Sequence, residues 1–165
     1  KVGVEAELDG IADIVVQRGR TFEEFEMGDV AESPARTITE TDVVQFAGLT
    51  GDYNPLHTDV EYAKETVFGQ RVAHGLLGLS VASGLAWRTG FLEGTAEALT
   101  AVDWKFRGPI HIGDTIRVRA EVIRKKAMPS LGGGFVIFSV TLLNQDDEVV
   151  QKGTWTALVR GQESD

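Results

Sequence analysis

The chain has 165 residues, which suits one domain with a core large enough to fold unaided. Its formal net charge of −9 disfavours nucleic acid and anionic membranes as partners, because both bind clustered lysine and arginine. The absence of cysteine excludes disulfides, thiolate nucleophiles and cysteine-based metal sites. No apolar stretch reaches the ~20 residues that span a bilayer, and no secretory signal pattern opens the chain, so we expect a cytoplasmic protein.

The first part of the chain has the weakest secondary-structure signal. Acidic residues surround the apolar run 14–16, which fits either a peripheral strand or a loose arm. We therefore expect residues 1–21 to form an N-terminal extension and residues 22–165 to form a single domain. Residues 30–38 are typical of a short strand.

Two short helices are predicted next. The first begins at Thr39, which can cap it, has acidic residues in its first turn and ends at Gly48. Glycine and proline then predict a loop over residues 51–55. The second short helix is predicted over residues 60–66.

The main helix is predicted over residues 74–87. This segment carries no Asp, Glu, Lys or Arg and is apolar on nearly all sides, which is typical of a buried helix. After residue 98, apolar and polar residues alternate in four segments, a pattern that predicts strands. A buried helix followed by four antiparallel strands indicates an α+β fold in which the sheet curves around the helix.

A carboxylate and an imidazole stand on either side of the turn Asn54-Pro55. On a helix their spacing of five would separate the two side chains, whereas this turn lets Asp52 and His57 converge. Their ordinary pKa values of about 3.9 and 6.5 leave one anionic and the other mostly neutral at pH 7, which suits acid–base catalysis. The alternative, which spacing alone favours, is that Asp52 braces the turn and His57 is a half-buried structural residue.

His74-Gly75 stands where the main helix begins. The Gly75 N–H would be an unpaired donor at the positive end of the helix, suited to a developing oxyanion. The alternative is that Gly75 relieves packing between helix and sheet. We expect His74 itself to be structural.

Two other kinds of site are not expected. The glycines at 132–134 do not lie between a strand and a helix, so they indicate a flexible connection between strands and no phosphate loop. The three histidines, His57, His74 and His111, are spread along the sequence without metal-ligand spacing, so we expect no metal site.

The segment from Phe46 to His57, Phe-Ala-Gly-Leu-Thr-Gly-Asp-Tyr-Asn-Pro-Leu-His, followed by Phe68-Gly69 and His74-Gly75, resembles the MaoC-like family, which includes the (R)-specific enoyl-CoA hydratases. The core Gly-Asp-x-Asn-Pro-x-His matches without departure, and so does its spacing to His-Gly. The resemblance extends over residues 22–159.

This resemblance implies a hot-dog fold, in which a curved antiparallel sheet wraps a long central helix. It also implies a homodimer or higher homo-oligomer with acyl-thioester tunnels near the subunit interface. The resemblance further implies that Asp52 and His57 form the catalytic pair that activates a water, and that the Gly75 N–H polarises the thioester carbonyl. Asn54 supports the loop or touches the site, and Ser83 lines the acyl pocket.

The expected reaction is the reversible hydration of 2-enoyl-CoA to (R)-3-hydroxyacyl-CoA in fatty acid metabolism. It requires no metal or redox cofactor, and coenzyme A or acyl carrier protein carries the substrate. Two alternatives stay open: a thioesterase of the same fold, and a non-catalytic acyl-thioester binding module or partner subunit. The intact Asp52 and His57 count against the binding module, in which one of them would be replaced.

Overall fold

A computed structural model describes residues 18–162 of the chain. The apolar run 14–16 and most of the expected extension 1–21 therefore lie outside the described residues. The short remainder lies against the domain, where the Gly19 N–H donates to the Gly90 carbonyl at 2.9 Å.

Four α-helices occur in the described residues: α1 (Glu40–Thr50), α2 (Pro55–Thr58), α3 (Val60–Lys64) and α4 (Gly75–Trp87). The three predicted helices are confirmed as α1, α3 and α4. Thr39 caps α1 as predicted, through a reciprocal capping box with Asp42. The helix continues past Gly48 and ends at Gly51, whose φ of 76° is the left-handed conformation that glycine adopts easily. None of these helices is long and apolar enough to cross a membrane.

Helix α2 was not predicted from the sequence. Its first residue, Pro55, falls at the end of the loop predicted over residues 51–55. The loop ends at Asn54, whose side-chain oxygen accepts a hydrogen bond from the Leu56 N–H at 3.0 Å. Pro55 then occupies the first helical position, where its missing N–H costs nothing. The proline therefore starts a helix here, although we predicted that it breaks one.

The strands are β1 (Val30–Glu32), β2 (Arg36–Thr37), β3 (Ala96–Phe106), β4 (Thr115–Met128), β5 (Gly133–Leu143) and β6 (Val149–Arg160). They form one sheet in the order β1-β4-β5-β6-β3, with β2 paired to β4. Every pairing in this sheet is antiparallel. The four long strands and the α+β class are thus confirmed.

The predicted flexible connection at residues 132–134 is only partly correct. Gly132 lies in the connection with a φ of 66°, but Gly133 and Gly134 belong to β5. A side chain at Gly133 would collide with the backbone of β6, so glycine serves close strand packing here.

Helix α4 packs on the inner face of the sheet through buried side chains that include Leu77, Val81 and Leu85. Its other face, which carries Leu76 and Trp87, is exposed in the single chain. The prediction that α4 is buried on nearly all sides therefore holds for one face only, because the sheet covers the helix from one side.

Candidate active site

His57 lies on α2 and is buried, and its Nδ1 is 2.7 Å from the carbonyl oxygen of Val72. A carbonyl oxygen can only accept a hydrogen bond, so Nδ1 carries the proton. In the neutral ring the other nitrogen, Nε2, then has a free lone pair. His57 is thus fixed in the tautomer that can accept a proton through Nε2.

Arg71, the residue before Val72, forms an ion pair with Glu40, the first residue of α1. Both guanidinium NH groups of Arg71 bond the carboxylate of Glu40, at 2.7 and 2.6 Å. These hydrogen bonds hold the pKa of Glu40 below its usual value. This bidentate ion pair holds the backbone at Arg71 in place, immediately before the Val72 carbonyl that orients His57.

Asp52 lies in the loop between α1 and α2, with its side chain exposed. Its carboxylate accepts a hydrogen bond from the Asn54 N–H at 3.2 Å. A carboxylate oxygen of Asp52 and a ring nitrogen of each of His57 and His74 all lie within 4.8 Å of one another. The turn therefore brings Asp52 and His57 together as the sequence predicts, and their catalytic roles stay predictions.

His74, at the N-terminus of α4, is 2% exposed and contacts both members of this pair. Its Nε2 donates to the Asp52 carbonyl at 2.9 Å, and its ring stacks on that of His57 with 3.9 Å between centroids. Phe46 packs near the His74 ring, 5.0 Å away between centroids. These contacts agree with the expected structural role of His74.

The reasoning that the histidines are far apart is wrong for His57 and His74, because the fold brings them into contact. The two ring planes are inclined by only 30°, and ring-nitrogen lone pairs lie in those planes. A tetrahedral ion needs lone pairs that converge from different directions, which nearly parallel rings do not favour. His111 lies apart from this pair, with its Nδ1 3.6 Å from a carboxylate oxygen of Asp114. The absence of a metal stays a prediction.

A cavity of about 360 Å³ opens beside His57. Its walls are mainly apolar and include Phe68, Val72, Phe106 and Ile110. His57, Gly75, Arg107 and Gln151 add polar groups. An apolar cleft with a few convergent polar groups is typical of a small-molecule site.

Gly75 lines this cavity as the first residue of α4. Its N–H has no acceptor among residues 18–162, as expected for the first turn of a helix. A Cβ at this position would lie 2.9 Å from carbons of the Phe106 ring. The structure thus supports both predicted reasons for the glycine, a free donor and close packing.

The two weaker site predictions, like Asp52, lie outside the set of residues that line the cavity. The Asn54 side chain caps α2, so it supports the loop. Ser83 is exposed on α4 and donates to the Ser80 carbonyl at 2.7 Å. It stands eight residues beyond Gly75, roughly 12 Å along the helix. Contact of either residue with substrate stays a prediction.

Gln151 is a buried polar residue of the cavity wall that the sequence analysis missed. It occupies a core-facing position of β6, in line with Trp155, Ala157 and Val159. A glutamine in an otherwise apolar, core-facing row was the signal that could have found it.

Comparison with known proteins assigns the family. Residues 23–132 match the family described as MaoC like domain. The chain belongs to this family. It is 39% identical over 101 residues to an (R)-specific enoyl-CoA hydratase of Rhodospirillum rubrum, an alignment that covers 61% of this chain and 68% of the hydratase. It is 40% identical over 108 residues, 63% of this chain, to Protein MaoC of Klebsiella aerogenes, of which the alignment covers only 31%.

Solved structures agree with this fold. A monoamine oxidase regulatory protein from Archaeoglobus matches with a TM-score of 0.83 and 37% identity, covering 91% of this chain and all of that one. R-hydratase PhaJ1 from Pseudomonas aeruginosa matches with a TM-score of 0.72 and 30% identity, covering 86% of each chain. A Mycobacterium tuberculosis protein described as having a double hotdog fold matches with a TM-score of 0.77 and 21% identity. The match covers 89% of this chain and 46% of that one. The implied hot-dog fold is therefore confirmed.

Proposed function

We propose that this MaoC-like domain catalyses the reversible hydration of a 2-enoyl-CoA to (R)-3-hydroxyacyl-CoA. The observation that carries the proposal is the acid–base arrangement beside the cavity, which His57 and Gly75 line and Asp52 does not. His57 presents a free Nε2, the Asp52 carboxylate lies within 4.8 Å of its ring nitrogen, and Gly75 offers an unpaired N–H on the same cavity.

Each group has a part in the reaction. Addition of water forms a C–O bond at the β-carbon and a C–H bond at the α-carbon of the conjugated thioester. Asp52 and His57 hold the water, take one of its protons and supply the proton for the α-carbon. The negative charge that develops on the thioester oxygen meets the Gly75 N–H.

The proposed reaction needs no redox cofactor, because water addition leaves the oxidation state of the substrate as a whole unchanged. It needs no metal, because the Gly75 N–H is assigned the polarisation of the carbonyl and the Asp52–His57 pair the activation of water. The carrier is coenzyme A or acyl carrier protein. We expect the cavity of about 360 Å³ to hold the reacting acyl end, with the carrier extending outside it.

The names of the relatives point to two classes of function. The Rhodospirillum protein and PhaJ1 are named as hydratases, which supports a hydro-lyase. The Archaeoglobus structure is described as a regulatory protein, which would suit a binding module without turnover. The intact Asp52 and His57, of which His57 lines an open cavity, favour the hydro-lyase.

A product assay tests this proposal. With crotonyl-CoA, we expect the absorbance of the conjugated thioester to fall while 3-hydroxybutyryl-CoA forms in the (R) configuration. Release of free thiol would indicate a thioesterase instead. Tight binding of the thioester with no product would indicate a binding module, and either result would reject the hydratase.

We also propose that the active form is a homodimer or a higher homo-oligomer. On β3, Leu99, Val102 and Phe106 are paired with buried residues of β6 and so lie on the core side of the sheet. Their exposed fractions are nonetheless 54%, 42% and 54%. β3 is the last strand of the sheet, and its free edge adjoins this uncovered apolar surface.

A second copy would cover this surface and the exposed face of α4 together. It would also complete a cavity wall, because Phe106 belongs to both the surface and the cavity. Light scattering should give a mass of at least twice 17.9 kDa. Val102→Lys should shift the protein towards monomer, whereas Val30→Lys at the opposite edge of the sheet should not. A wild-type monomer at micromolar concentration would contradict the proposal.

A further inference from the structure

The side chain of Gln151 joins β6 to the start of α4. It is 1% exposed, so its amide is removed from solvent. Its Nε2 donates to the Gly75 carbonyl at 3.0 Å, and its Oε1 accepts from the Trp104 Nε1–H at 2.9 Å. Burial of an amide is costly unless such hydrogen bonds are made, and both ends of this one are bonded.

The space around α4 is arranged for this glutamine. Gly78 lies one turn after Gly75. Any side chain at this position would place its Cβ in collision with the Gln151 amide, so glycine leaves room for that amide. The helix therefore approaches β6 closely enough for the amide to reach the first turn. An apolar side chain would fill the same space without a hydrogen bond, so filling space does not require a glutamine.

The residue that receives this hydrogen bond also carries the proposed oxyanion donor. Glycine has more backbone freedom than any other residue, and the Gly75 N–H shares a peptide plane with the His74 carbonyl, which accepts from the Gly78 N–H at 3.2 Å. On one side His74 is fixed through its ring to the Asp52 carbonyl. On the other side, the Gly75 carbonyl is fixed by Gln151. The residue that carries the donor is thus anchored on both sides.

We propose that Gln151 is a positioning residue that keeps the Gly75 N–H aimed at the thioester oxygen. This inference rests on the proposed function, because it assigns a reaction to the donor. Gln151 does not take part in proton transfer. Its effect is on carbonyl polarisation, where a misplacement of about 1 Å can cost about 10²-fold in rate.

The variant Gln151→Leu removes both hydrogen bonds at similar volume. We expect kcat to fall on the order of 10²-fold while KM for crotonyl-CoA changes far less, because the donor acts mainly in the transition state. Trp104→Phe is the matched control, since it removes one buried hydrogen bond of the same side chain but keeps the bond to Gly75. If Gln151→Leu does not fold, Gln151→Met provides the same test with a more flexible side chain.

A spectroscopic measurement separates positioning from a general structural effect. The carbonyl stretch of bound butyryl-CoA, which is saturated and cannot be hydrated, should shift to lower frequency in the wild type. Trp104→Phe should keep this shift and Gln151→Leu or Gln151→Met should lose most of it. An equal shift in all these proteins, or equal kcat losses in Trp104→Phe and the Gln151 variants, would overturn the inference but not the proposed function. No shift in the wild type would overturn the oxyanion role of Gly75 and the inference with it.

Discussion

Asp52→Asn and His57→Ala are each expected to lower kcat for enoyl-CoA hydration by about 10²- to 10⁴-fold, the usual range for general acid–base groups. The first substitution keeps the shape of the side chain but removes its negative charge. The second removes the ring nitrogen that accepts a proton. Steady-state kinetics with crotonyl-CoA, together with circular dichroism to verify folding, would measure these losses.

Two control variants make the result specific. His111→Ala removes the histidine that lies apart from the His57–His74 pair, and Asp103→Asn removes an exposed carboxylate of β3. Both should keep near wild-type turnover. If either Asp52→Asn or His57→Ala also kept it, the assignment of that residue would be wrong.

The double variant tests whether the two residues act together. If they hold and activate one water, removal of both should cost little more than removal of one, because groups that act as a unit are strongly non-additive. Losses that multiply would indicate separate roles. His57→Ala also removes the ring on which His74 stacks, so the two variants that carry it change the surroundings of His74 as well.

Much of this site could be predicted because its signals are local. The Thr39 cap of α1, the Asn-Pro turn and the uncharged helix α4 each depend on neighbouring residues, and the sequence indicates all three. The convergence of Asp52 and His57 follows from the same turn. Even there, the prediction for Pro55 is wrong, because a proline can end one helix or begin the next.

What the sequence could not show depends on distant contacts. His57 and His74 are 17 positions apart, and only the packing of α2 beside the start of α4 stacks their rings. Gln151 comes 76 positions after Gly75, and the strand order decides that it faces the helix. The exposed face of α4 has an apolar composition that could equally be buried within one chain or between two.

At Gly75, close packing against Phe106 and access of the thioester to the N–H both require a residue without a side chain. A double-mutant cycle is needed to separate these two effects. In Gly75→Ala, the new methyl group would lie 2.9 Å from the Phe106 ring and would also narrow the approach of the thioester to the N–H. We expect a loss of about 1–3 kcal/mol in unfolding free energy from the overpacking. We also expect kcat to fall by about 10²- to 10³-fold, the value of one oxyanion donor.

Phe106→Leu opens space for that methyl group. In the double variant Gly75→Ala/Phe106→Leu, we expect the unfolding free energy to recover towards that of Phe106→Leu alone, while kcat stays low. Thermal unfolding and crotonyl-CoA kinetics on all four proteins would complete the cycle. Recovery of kcat together with stability would show that the glycine serves packing between helix and sheet, and that the thioester oxygen finds its donor elsewhere.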